Sequence, residues 1–306
     1  MKLSPLLIAT ACALLAPCVV APSSLQARAL PERQTPPADT PRSVRLMSYN
    51  IRYDAPDDTP NWAQRRPHMA RQIAFFDPDI LGVQEALIPM VAYLAEQAPA
   101  YDHYGVGRDD GAQTGETTTL FWRRDRFEAI SAQTLWCSLT PDRPSKGWDA
   151  ALPRTITRVV LRDRIDGGLL DVRNAHFDHV GVIAREECAA LAADMALASV
   201  EGVTAAVVLM GDFNTGPNSA PYRRILASGL SDARAVSPVV FGPAGTYNAF
   251  DITNDNDGVA IDHVFVGPGL SVERYAVPTD SFAGQVISDH FPVVVDIASE
   301  GALIAR

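Results

Sequence analysis

Between residues 44 and 297, short strand-like runs repeatedly stop at a side chain that can do chemistry. Asn50 closes the run that starts at Val44, and Glu85 follows Ile80–Gln84. His176 stands near the end of Leu169–Phe177, and Asp212 and Asn214 follow the unbroken apolar stretch Ala205–Met210. A continuous apolar run of that length reads as a central strand covered on both faces. Strand ends are where α/β proteins collect functional groups from distant parts of the chain. Acids scattered by chance would fall on helix faces and loops instead.

The spacing predicts further strands over Thr117–Trp122, Thr155–Leu161, Ile261–Val266 and Phe291–Ile297. Helical spacing over Trp62–Phe76 stops before Pro78, and Ile88–Gln97 reads as a second helix. Val180–Val200 is rich in Ala and Glu and is expected to form the longest helix.

The start of the chain has a different character. Lys2, the apolar run Leu6–Val20 and the small-x-small triplet Ala27-Arg28-Ala29 read as a secretory signal peptide over residues 1–29. The apolar run is short for a bilayer span. Residues 30–42, with four prolines, read as an unstructured linker, and residues 43–306 as one catalytic domain. Removing 1–29 takes away Lys2 and Arg28 and no acid. That leaves 24 basic against 36 acidic residues, a net charge of −12. Such a surface does not attract nucleic acid non-specifically. Cys137 and Cys188 remain after cleavage; they either bridge in an oxidising compartment or stay as buried thiols.

Several chemistries are missing. There is no Cys/His set with zinc spacing, no phosphate loop and no Gly-x-Ser-x-Gly nucleophile turn. Oxygen donors suit a hard divalent cation, Mg²⁺ or Mn²⁺, and Glu85 is a suitable anchor. Asp262 could bind one ring nitrogen of His290 and raise the basicity of the other, as a base activating water requires. Asp212 and Asn214 would point the same way if their strand continued, and His176 and Asp178 would share a face. Each motif has a plain alternative. Asp and Asn after a strand are ordinary turn residues, and a lone buried His is more often structural.

Taken in order, Ser48-Tyr49-Asn50-Ile51-Arg52, Gln84-Glu85, Asp110-Gly111 with Gly115-Glu116, Asn174-Ala175-His176-Phe177-Asp178, Gly211-Asp212-Phe213-Asn214, Ile261-Asp262-His263 and Ser288-Asp289-His290 resemble the endonuclease/exonuclease/phosphatase superfamily across residues 43 to 298. The resemblance implies an α/β fold, a four-layer sandwich of two mostly antiparallel β-sheets flanked by helices. It implies Glu85, with Asn50 and Asp289, as the metal site. It makes Asp212 and Asn214 the residues that position water and phosphate. Asp262 and His290 become the orienting carboxylate and its base, His176 the histidine that stabilises the developing charge, and Glu116 its support. Arg154 falls where a phosphate contact is expected, with Arg108 as a further one. Trp148 and Phe250 are the aromatic residues best placed to line a cleft, while Trp122 and Trp136 read as core.

The expected activity is hydrolysis of a phosphate ester, on a small or lipid-linked substrate, by an exported monomer, periplasmic or secreted. A secreted nuclease, or an inactive binding module of the same fold, are the alternatives. A nuclease would need a basic strip flanking the site.

Overall fold

The computed structural model describes residues 43–299; the expected signal peptide, the linker up to residue 42 and residues 300–306 lie outside it. Two large sheets dominate. The seven-stranded sheet runs Val240–Phe241, Leu270–Ala276, Val293–Ser299, Val44–Asn50, Ile80–Gln84, Leu120–Arg123, Tyr101–Tyr104 from edge to edge. The six-stranded sheet runs Ser231–Asp232, Asp262–Val266, Ala206–Asp212, Leu169–His176, Thr155–Asp163, Phe127–Trp136. Neighbours are mostly antiparallel. The central pairs, Val44–Asn50 with Ile80–Gln84 and Ala206–Asp212 with Leu169–His176, are parallel.

Strand alternation divides the apolar residues among three cores. Leu46, Ile80, Val172, Val208 and Met210 pack between the sheets. Met47, Tyr49, Leu81 and Val83 face outward and are covered by Trp62, Met69 and Ile73 of helix Trp62–Phe76 and by Met90, Val91 and Leu94 of helix Ile88–Gln97. Val207 and Leu209 face the other way, under Cys188, Ala189 and Ala192 of helix Val182–Asp194 and Tyr222 and Ile225 of helix Ala220–Ala227. The central strands are therefore buried on both faces, which is why their sequences are continuously apolar. The four layers expected from the resemblance are present.

Two expectations need correction. The stretch 180–200 does not form the longest helix. Its helix is Val182–Asp194, 13 residues against 15 for Trp62–Phe76. The Asp178 carboxylate captures the N–H groups of Val180 and Gly181, which delays the helix start. At the other end Ser199–Val200 turns back on Val203–Thr204 as a small hairpin. The strand expected over 117–122 is broken: Glu116–Thr117 pairs with Ala86–Leu87, and Leu120–Arg123 pairs with Ile80–Gly82. Between them the Thr118 hydroxyl reaches those of Thr155 and Thr157 on the other sheet. Of the two alternatives open for Cys137 and Cys188, the structure has the bridge: they form a disulfide, with Cα atoms 5.0 Å apart.

Strand Phe127–Trp136 was not legible in the sequence. It is an edge strand whose residues 128–133 are exposed on both faces, so it carries no alternating pattern.

Candidate active site

The paired parallel strands of each sheet end at the same edge of the sandwich. Asn50 and Gln84 are in register at the ends of their strands, as are His176 and Asp212. Asp262, opening an antiparallel strand, pairs in register with Asp212. His290 stands just ahead of Val293–Ser299, which runs antiparallel beside Val44–Asn50. Glu85 turns the chain out of its strand with a left-handed φ of 64°. Gly211 is required by a close approach: a Cβ there would lie 2.0 Å from the Ala175 carbonyl oxygen.

These ends surround a cleft of about 420 Å³. Glu85, Glu116, Arg154, His176, Asp212, Asn214, Asp289 and His290 line it. Asn50 and Asp262 lie behind them, buried. The Asn50 Nδ2 donates to Glu85 Oε1 and to Asp212 Oδ2, both at 2.9 Å, so carboxylates 127 positions apart meet at one amide. His290 Nδ1 is 2.8 Å from Asp262 Oδ2, and its Nε2 faces Asp212 Oδ2 at 3.8 Å. The Arg52 guanidinium lies 4.0 Å from Glu85 and 3.7 Å from Asp289.

The field is strongly anionic at one end. Burial, then the charge of Asp262, pushes the Asp212 carboxyl up to about 7. Asp289 is raised by burial and by Glu85, and Glu116 by burial against the pull of Arg108. Burial opposes the charged form of His290, but the charge and hydrogen bond of Asp262 and the charges of Asp212 and Asp289 outweigh it and raise it to about 10. Crowded carboxyls that resist ionisation are what a bound divalent cation relieves. The oxygen donors of Glu85, Asp289 and Asp212 suit Mg²⁺ or Mn²⁺ in chemistry. A cluster of Glu85, His176 and Asp212 has ligand atoms within 4.8 Å of one another.

At the other end Arg154 is the organiser. Its Nη1 lies 3.0 Å from His176 Nε2, its Nη2 2.8 Å from His179 Nδ1, and its Nε 3.3 Å from Asp178. A guanidinium can only donate, so the ring nitrogens it meets accept. Burial and the Arg154 charge hold His176 well below the usual histidine range, so this ring is neutral.

Some placements differ from expectation. Asp212 and Asn214 do not extend one strand. The strand ends at Asp212, and Asn214 is left-handed with φ 47°, its backbone N–H on Asp212 Oδ1 and its side-chain amide on the Phe177 carbonyl. Asp178 does not face the cleft beside His176; it is buried and binds Arg154 and loop N–H groups. Glu116 is held by Arg108 through two bonds of 2.6 and 2.8 Å and comes no nearer His176 than 3.8 Å. That pairing also engages Arg108, which is not among the cleft-lining residues. Trp148 and Phe250 pack against the cores, and the aromatic lining comes from Tyr53 and Tyr247. Trp122 and Trp136 are core, as expected. Ala249, beside Asn248 and Phe250, is left-handed at φ 52°.

Tyr53 and His179 were missed. Each follows a motif residue, Arg52 or Asp178, and only the loop conformation turns it inward.

Comparison with known proteins covers the stretch of chain that holds all of these residues. The profile of the Endonuclease/Exonuclease/phosphatase family aligns with residues 47–290. Among solved structures, a mannosyl-6-phosphatase from Bacteroides thetaiotaomicron is 35% identical, with a TM-score of 0.79, covering 84% of this chain and 100% of that one. A family protein from the same organism is 34% identical, with a TM-score of 0.80, covering 85% and 99%. The human nocturnin catalytic domain, 17% identical with a TM-score of 0.62 over 84% and 93%, shares the fold. Among curated proteins no sequence match was found.

Proposed function

This chain belongs to the endonuclease/exonuclease/phosphatase family of phosphoester hydrolases, and from that premise we propose that it is a Mg²⁺- or Mn²⁺-dependent phosphomonoesterase acting on a small phosphorylated molecule. The reading rests above all on the meeting of Glu85 and Asp212 at the Asn50 amide, next to the Asp262–His290 pair. A cleft of about 420 Å³ supports a small substrate. The monoester preference draws on the 35% identity to a mannosyl-6-phosphatase.

Glu85 and Asp289, with Asn50 orienting Glu85, would hold the cation. When bound, the cation polarises the phosphoryl oxygens and acidifies water. Asp212 then accepts the proton of the attacking water, which the Asn214 amide orients. The sequence pointed to His290 as the base, but three carboxylates surround that ring and keep its proton on it. We assign His290 instead to donate from Nε2 toward a phosphoryl oxygen, with Asp262 fixing Nδ1–H. Arg154 holds the remaining phosphoryl oxygens, with neutral His176 accepting from it at Nε2 and so orienting the guanidinium, a geometry that favours the transition state when it is preformed. Glu116 keeps Arg108 in place beside them.

The signal peptide at 1–29 and an oxidising destination complete the reading. The Cys137–Cys188 disulfide supports it. No described helix is long and apolar enough to cross a membrane.

The test is a substrate panel with and without metal: mannose 6-phosphate and other sugar phosphates, a phosphodiester reporter, a choline phospholipid, and single- and double-stranded DNA. We expect EDTA-sensitive release of phosphate from monoesters, and for Glu85→Gln a weakened response to metal. Full activity in EDTA, or turnover of DNA alone, would overturn the proposal.

A further inference from the structure

Arg65 lies in helix Trp62–Phe76, outside every motif used so far, and is fully buried. A guanidinium carries five N–H donors in a fixed planar fork. Here all five are spent on backbone carbonyls. Nε donates to Pro60 O at 3.1 Å, Nη1 to Ile51 O at 2.7 Å and Ile287 O at 3.2 Å, and Nη2 to Arg52 O and Tyr53 O, both at 3.1 Å. Among the described residues no carboxylate pairs with it within 4.0 Å. Trp62 and Phe250 flank it, with ring centroids 5.5 and 5.7 Å from the guanidinium carbon.

The carbonyls it gathers belong to two loops that carry the site. Residues 51–53 follow Asn50. The Tyr53 N–H reaches Glu85 Oε2 at 3.2 Å, and the Arg52 N–H reaches Asn50 Oδ1 at 3.0 Å. Arg52 is held left-handed at φ 54°, a conformation a non-glycine residue keeps only when its surroundings impose it. Ile287 precedes Ser288, Asp289 and His290, and the Ser288 hydroxyl donates to Asn50 O at 2.7 Å. Both oxygens of Glu85 are therefore held by groups on the first loop, Asn50 and the Tyr53 amide. Arg65 ties this loop to the second, alongside the Ser288 hydroxyl and the Arg52–Asp289 contact.

We infer that Arg65 is a positioning residue that clamps the 51–53 and 287–290 loops together and so presets the geometry of Glu85 and Asp289 for a divalent cation. The inference rests on the metal-site reading above. A lysine offers its donors from a single nitrogen and cannot span carbonyls set around the edges of a planar fork. The helix start is independent of it, since Asn61 and Gln64 form their own capping box.

The experiment titrates Mn²⁺ into the metal-free full-length chain, read by electron paramagnetic resonance, for wild type, Arg65→Lys and Arg65→Met, with circular dichroism to check folding. Both folded variants should bind Mn²⁺ about 10-fold or more weakly than wild type, the range seen when groups that orient ligands are lost. The kcat measured at saturating Mn²⁺ should recover more in the lysine variant than in the methionine one. If Arg65→Met does not fold, the lysine variant decides alone. Unchanged Mn²⁺ affinity in folded Arg65→Lys, with only a lower melting temperature, overturns the clamp and leaves the metal site standing. A wild-type chain that binds no Mn²⁺ overturns both.

Discussion

Asp212 and His290 face each other across 3.8 Å with opposite tendencies. Burial and a neighbouring acid raise the carboxyl to about 7, and surrounding acids raise the imidazole to about 10. A base works best with a pKa near the operating pH. If Asp212 accepts the proton, kcat/KM rises as pH passes upward through its pKa. A bound cation lowers that limb to about 7 or below. Activity then falls near 10, as His290 loses its proton. If His290 were the base, the rising limb would instead sit near 10, so a pH–rate profile separates the two. Replacing His290 by Ala should lower kcat by roughly 10²- to 10⁴-fold with an unchanged circular dichroism spectrum; near wild-type turnover removes it from the mechanism. These residues stood out in the sequence because each interrupts or ends an apolar run. Their protonation did not, because it depends on which acids become neighbours.

Loops between elements do as much work as the elements. Asp178 is buried and accepts from the N–H groups of Ala151, Leu152, Val180 and Gly181 and from Arg154. One carboxylate thus joins the loop before strand Thr155–Asp163, the approach to helix Val182–Asp194, and the main cation of the cleft. Burial alone would raise its pKa. The backbone donors and Arg154 outweigh burial and hold it well below the usual carboxylate range. A group depressed in the folded state stabilises above its unfolded pKa, near 4, and that contribution is lost as pH falls through the folded value. Asp178→Asn should lower stability by about 3 kcal/mol at pH 7. The gap between variant and wild type should be constant above about pH 5 and narrow below about pH 4. Equal denaturation midpoints at pH 7 would show that the amide replaces the carboxylate fully. The sequence placed Asp178 beside His176 by strand period, and the strand's end at His176 defeats that count.

At the scale of the whole molecule, the Cys137–Cys188 link closes a loop across the outer face of the six-stranded sheet, its ends 51 positions apart. By chain entropy a loop of that size is worth about 4 kcal/mol. Protein recovered from outside the cytoplasm should begin at Leu30 and contain no free thiol, and reduction should lower its unfolding free energy by about that amount. Free thiols in the native protein would contradict both export and the bridge. The sequence by itself determined the positions of the central strands, because strands buried on both faces must be apolar throughout and must stop where polar groups begin, while the layered α/β plan came from the resemblance of its ordered motifs to a known family. It also determined which carboxylates and histidines stand at those stops. Only the tertiary structure decided which of them touch: that Glu85 and Asp212 share one amide, that Asp178 turns away from the cleft, that two cysteines meet, and that Arg65 binds five carbonyls. Those outcomes depend on loop conformation and sheet stacking, and one sequence position carries no record of its neighbours across space.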